Sequence, residues 1–152
     1  AQLEPTLGAT AENIRAETVT GDDYTVAFGP DAPSSTVLLV YSPLCPLCEK
    51  NMDSWRRLTA ALSKLPAQRV LLLDISGQLT ESGFHALLMP PSVLGLTRID
   101  ARLTVTYQLG RVTPQTIVVD RAGSIRGVWS GLLTDSEHEA ILNVAAGGIH
   151  PS

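Results

Sequence analysis

The stretch from Thr36 to Leu65 limits what this chain can fold into more than any other. Thr36-Val37-Leu38-Leu39-Val40 is short, β-branched and uncharged, the pattern of a strand covered on both faces. Tyr41-Ser42-Pro43-Leu44 follows, then Cys45-Pro46-Leu47-Cys48, which holds both cysteines of the chain. Beyond it Cys48, Met52, Trp55, Leu58, Leu62 and Leu65 recur at helical spacing, with Glu49, Lys50, Asp53, Arg56, Arg57 and Lys64 falling mainly between them. The expectation is strand, tight turn, helix, with Cys45 at the helix N-terminus and Pro66 ending the helix.

That placement has a chemical consequence. The first N–H groups of a helix lack internal partners, and its dipole puts partial positive charge there. A thiolate at such a point is stabilised, and thiol pKa values fall from ~8.5 to roughly 3.5–7.5. Pro46 suits the first turn, where a missing N–H costs nothing. Cys48 lies one turn on, along the apolar stripe. The pair therefore reads as an exposed nucleophile, Cys45, and a sheltered resolving thiol, Cys48. A purely structural disulfide at this spacing would close too small a loop to restrain the unfolded chain much. A zinc site normally takes four ligands, and His85, His138 and His150 show no ligand spacing, so no metal is assigned. Redox chemistry is the expectation for the pair.

A length of 152 residues suits one domain with a full core, and 44% hydrophobic against 17% charged residues is a globular balance. The formal net charge of −4 argues against nucleic acid as partner. No apolar run reaches membrane-spanning length, no anchor is visible, and Ala1-Gln2-Leu3-Glu4 is not a signal peptide. The missing initiator Met, with the low charge and few lysines, points to a processed, extracytoplasmic chain. A monomer is expected.

In order, residues 1–14 read as an extended lead-in. Arg15–Val19 and Tyr24–Phe28 flank Gly21-Asp22-Asp23 as a hairpin, and residues 29–35 form a loop. After the cysteine helix, Arg69–Ile75 is a second buried strand, so a βαβ unit with parallel pairing is expected. Glu81–Met89 reads as a short helix carrying Phe84, Leu87 and Leu88, stopped by Pro90-Pro91, with His85 at its surface. Ala101–Leu109 alternates like a strand, yet Asp100 could cap a helix there. Thr113-Pro114 leads into the strand Gln115–Asp120, a turn at Arg121-Ala122-Gly123, and a partner strand Ser124–Ser130. Thr134-Asp135-Ser136-Glu137 is a capping box for a last helix ended by Gly147-Gly148. Trp55 and Trp129 are expected in the core or on a sheet face.

This order resembles the thioredoxin fold, and more narrowly the periplasmic, redoxin-like thiol-disulfide oxidoreductases of the TlpA/ResA type. The resemblance rests on Val37–Cys48 and on Tyr107–Gly123 with its Thr113-Pro114 step, and it covers residues 12–147 by elements rather than identities. It implies an α/β fold, a three-layer α/β/α arrangement with an N-terminal hairpin. It makes 76–100 an inserted helix and strand and Ala101–Leu109 a helix. It makes Pro114 a cis-proline facing the cysteines, with Thr113, Pro114, Pro46 and Leu47 as the substrate-binding surface. It also implies protein substrates bearing disulfides or dithiols, such as apocytochromes in cytochrome c maturation, a separate redox partner, and no cofactor beyond a Cys45–Cys48 disulfide.

The chain departs from these relatives at three points. Leu39 stands where thioredoxins carry a buried Asp, Asn51 where the TlpA/ResA branch often has Glu, and Leu44 where an aromatic residue usually precedes the first cysteine. The usual proton acceptor for the resolving thiol is therefore missing, and slow deprotonation of Cys48, or transfer through water, is expected. Glu49 adjoins Cys48 in sequence but should point away from it on a helix. Arg111 either approaches the site and favours the thiolate or is a solvated loop arginine. Two other functions share the fold. A peroxiredoxin-like peroxidase would turn over peroxide, and a Cys-pair copper carrier would need a further His or Met ligand.

Overall fold

The computed structural model describes residues 6–31, 34–100 and 113–147. Its strands are β1 (Ile14–Thr18), β2 (Asp23–Val26), β3 (Ser35–Tyr41), β4 (Gln68–Asp74), β5 (Val93–Thr97), β6 (Gln115–Val119) and β7 (Ile125–Ser130). Its described helices are α1 (Pro46–Leu62), α2 (Glu81–Ala86) and α3 (Asp135–Ala145). All seven strands join one mixed sheet in the order β2-β1-β5-β4-β3-β6-β7. β3, β4 and β5 run parallel, while β6 pairs antiparallel with β3 and β7 extends the sheet.

β3 is the centre, and all seven of its residues are buried. A strand hydrogen-bonded on both edges and packed on both faces has no place for a charge. Side chains alternate across a strand, so Val37, Leu39 and Tyr41 face one core and Leu38 and Val40 the other. The first core lies under α1 and α3, where Cys48, Met52, Trp55, Leu58 and Leu62 meet Ile141 and Val144. The second gathers Leu71, Leu73, Leu96, Ile117 and Val119 with Ile14, Val26 and Phe28 from the N-terminal region.

α3 begins with the full capping box: the Glu137 N–H donates to Thr134 Oγ1 at 3.1 Å, and the Thr134 N–H donates to Glu137 Oε1 at 3.0 Å. The inserted pair expected over 76–100 is present as α2 and β5. Several boundaries differ from expectation. Ser35 belongs to β3 rather than the loop. α1 stops at Leu62 with Ser63 as its cap, short of Pro66, because a residue before proline is pushed out of helical conformation and the chain turns early. α2 ends at Ala86, and Leu88, expected on its apolar face, has φ +55° and is 75% exposed. The helix expected over Ala101–Leu109, which would form the second helical layer, lies outside the described residues.

Candidate active site

The site lies where the C-terminal end of β3 gives way to α1. The turn between them is held locally. Ser42 Oγ accepts from the Leu44 N–H at 3.1 Å, and the Ser42 carbonyl accepts from the Cys45 N–H at 3.1 Å. Cys45 is the N-cap of α1, with extended backbone, and Pro46 opens the first turn. Its Sγ accepts from the Cys48 N–H at 3.3 Å, the position that a serine or aspartate oxygen fills in other helices. The remaining group comes from the segment that leads into β6, the strand paired beside β3. The Thr113–Pro114 peptide is cis, and the Thr113 carbonyl lies 3.6 Å from Cys45 Sγ, in place to accept from the thiol.

The two thiols are free and differ sharply. Cys45 is partly exposed. Burial pushes its pKa up, but hydrogen bonds from the Thr113 side chain, the Cys48 thiol and the Cys48 and Leu47 backbone outweigh this and hold it below the ordinary thiol value. Cys48 is fully buried. Burial, then the hydrogen bond with Cys45 and the charge of Cys45, push it up to about 12, against smaller opposing contacts with Ser42 and Thr113. At neutral pH the arrangement supplies one nucleophilic sulfur at the surface and one protonated sulfur directly behind it.

Around Cys45 the rim is apolar: Leu44 is 71% and Leu47 45% exposed, and Pro46 is also exposed. Pro114 is buried and Thr113 half-buried. Thus Cys45, Cys48, Thr113 and Pro114 converge, with Pro46 and Leu47 on the rim. Arg111 lies outside the described residues. Glu49, next to Cys48 in sequence, lines a cleft of about 270 Å³ together with Cys45 and Tyr41. A larger cavity of about 540 Å³ lies at the opposite pole, between Ser35, Gln68 and the end of α3, away from both thiols.

Two residues, Tyr41 and Asp74, escaped the sequence reading of the site, and a third, Asn51, was read only as a departure from the related pattern. Asn51 is buried on the Cys48 face of α1, and its Oδ1 accepts from the Leu133 N–H at 3.0 Å, tying α1 to the loop before α3. Its place one turn after Cys48 on the apolar stripe was the available signal. Tyr41, the last residue of β3, is buried in the same core cluster as Cys48. Asp74, paired with Tyr41 in register, is fully buried and accepts from the Ser76 N–H and Oγ, the Leu79 N–H and Thr97 Oγ1 at 2.6–2.9 Å. Four donors fill the acceptor positions of that carboxylate, so it fixes the turn after β4. Leu39 is fully buried in apolar surroundings, and both tryptophans are buried, Trp55 donating to Thr116 Oγ1 at 3.0 Å.

No family model and no curated protein sequence matches the chain. Solved structures do. A thiol:disulfide interchange protein of the thioredoxin family from Chlorobium tepidum aligns with TM-score 0.69 and 15% identity over 93% of this chain and 99% of that one. A peroxiredoxin-like protein from Aquifex aeolicus aligns with TM-score 0.69 and 14% identity over 93% and 86%. ScoI of Bradyrhizobium japonicum with copper bound aligns with TM-score 0.66 and 16% identity over 90% and 99%. The chain has the thioredoxin fold. At these identities the fold is what is shared, and the three neighbours carry three different names on it. The choice among them falls to the residues of the site.

Proposed function

We propose that this protein is a thiol-disulfide oxidoreductase that exchanges a Cys45–Cys48 disulfide with protein dithiols and disulfides outside the cytoplasm. One observation carries the reading: an N-capping cysteine with a lowered pKa has a buried cysteine, pushed up to about 12, on the next turn behind it. The Cys45 thiolate attacks a substrate disulfide, one substrate sulfur leaves as a thiol, and a mixed disulfide forms. Cys48 then loses its proton and attacks Cys45 Sγ, which releases the second substrate sulfur as a thiol and leaves the protein oxidised. The reverse sequence oxidises a dithiol.

Leu47, Pro46, Thr113 and Pro114 form the surface on which the substrate chain rests, with Thr113 offering backbone contacts. The disulfide is the only redox group the reaction requires. A peroxiredoxin-like peroxidase usually has an isolated cysteine with Thr two or three residues before it and a distant Arg, a pattern that Ser42-Pro43-Leu44-Cys45 fits only in part. A copper carrier would need a further His or Met ligand beside the pair, and metal analysis of the purified protein under reducing conditions discriminates that reading. The extracytoplasmic setting follows from the resemblance to periplasmic oxidoreductases. Among the described residues no helix is long and apolar enough to cross a membrane.

The test is insulin disulfide reduction together with the reduction potential of the pair. Turnover that disappears in Cys45→Ser supports the reading. Turnover that persists in that variant, or peroxide consumption without disulfide exchange, removes it. A potential near about −120 mV would mark an oxidant and one near about −270 mV a reductant.

A further inference from the structure

The resolving step poses a proton problem. With its pKa pushed up to about 12, Cys48 offers a thiolate fraction of roughly one in 10⁵ at pH 7, since each unit is a factor of ten. Leu39 is apolar, Asn51 is engaged with Leu133, and the four hydrogen bonds to Asp74 leave it no free acceptor position. The cleft beside Cys45 is different. It has about 270 Å³, enough for several waters, and is walled by Met52, Leu87 and the Ser42-Pro43 turn. It contains one carboxylate, Glu49, and one phenol, Tyr41. Glu49 sits one turn below the cap, its N–H donating to the Cys45 carbonyl at 3.3 Å. Tyr41 packs in the same core cluster as Cys48 and lines the cleft as well.

We propose that Tyr41 and Glu49 are the proton path of Cys48, the phenol passing the proton from the buried thiol through cleft water to the carboxylate. This deepens the oxidoreductase reading and rests on it. In the mixed disulfide the Cys48 S–H gives its proton to the Tyr41 oxygen as the phenolic proton moves through water to Glu49. Cys48 sulfur bonds to Cys45 Sγ, the Cys45–substrate S–S bond breaks, and the departing sulfur takes a proton back from Glu49. No net proton is gained or lost. The groups facing Tyr41 are Asp74 from β4 and Cys48, Glu49 and Cys45 from α1. Burial first and then these negative charges raise its pKa, so the phenol keeps its proton and remains a donor.

The experiment is a two-phase reaction of the reduced protein with 5,5′-dithiobis(2-nitrobenzoate). The first nitrothiobenzoate is released when Cys45 attacks, the second when Cys48 resolves the mixed disulfide. In Glu49→Gln and Tyr41→Phe the first release persists, while the second slows by about tenfold or more at pH 7. The difference narrows as hydroxide takes over above pH ~10, and Glu49→Asp recovers part of the rate. A second release unchanged in both variants overturns the path alone and leaves the oxidoreductase reading standing. No first release in the unaltered protein overturns both.

Discussion

The two faces of the sheet are built from the same strands and do different work. On the face under α1 and α3, Val37, Leu39 and Tyr41 share their core with Cys48 and Trp55, and polar groups occur throughout: the Trp55–Thr116 hydrogen bond, the Asn51–Leu133 tie, the Tyr41 hydroxyl. On the other face Leu38, Val40, Leu71, Leu73, Ile117 and Val119 pack with apolar neighbours from the N-terminal region and β5, and the charge there, Arg69, is tied off by hydrogen bonds to Thr36 Oγ1 and the Ala27 carbonyl. Consecutive residues of β3 thus serve a reactive core and an inert one. The lesson is that the fold separates stability from chemistry at the scale of one residue. Either face can hold the sheet together, but only one can change the acidity of a sulfur.

The largest effect expected is at the reactive sulfur itself. Cys45→Ser should reduce disulfide exchange to background while leaving the unfolding midpoint nearly unchanged, measured by insulin reduction and thermal melting side by side. On the inert face, Leu38→Ala should cost about 2–5 kcal/mol in denaturant titration, the usual range for a large-to-small core change, with the pH profile of Cys45 alkylation unmoved. A moved profile would break the contrast between the faces.

The pH dependence of stability sharpens the contrast further. Cys48 holds its proton more tightly folded than unfolded, so nothing is lost below its ordinary value of 9.0. Above that, the unfolded chain ionises first, and the reduced protein should lose stability as pH rises toward about 12. Cys48→Ala should lack this component, which shows as the difference between the two stability–pH curves. The Cys45 alkylation midpoint should lie below the ordinary thiol value.

The smallest effect is expected at Asn51→Ala. It strands the Leu133 N–H, which costs about 1–3 kcal/mol. The buried Asn51 Nδ2, itself without a hydrogen-bond partner, disappears with it, so the loss should fall at the low end. Equilibrium unfolding of the variant measures it. A stabilised variant would mean that the tie between α1 and the α3 loop contributes nothing.

Much of this was legible locally. The uncharged runs of β3 and β4, the apolar stripe of α1 and the Thr134–Glu137 box each announce themselves within a few residues, because they follow from burial on both faces, helical periodicity and capping. The position of both cysteines follows from the same local rules. What was not legible depends on partners remote in sequence. Asn51 reads as a departure from a known pattern, and only the fold brings Leu133 to its amide. Tyr41 and Asp74 look like unrelated strand ends until the β3–β4 register sets them side by side. The early stop of α1 and the exposure of Leu88 reflect backbone turns that periodicity alone does not record.

The central position of β3 has a consequence for how the chain must be made. Its partner on one side, β4, arrives shortly after it, but its partner on the other side, β6, comes only after β4, α2 and β5 have all been made. Until that late segment emerges from the ribosome, a nascent chain carries an uncharged, mostly apolar strand with one unzipped edge, a template for sticking to its neighbours. A truncated product ending before Gln115 should therefore precipitate rather than fold, and any cell that makes this protein has to shelter that edge during synthesis.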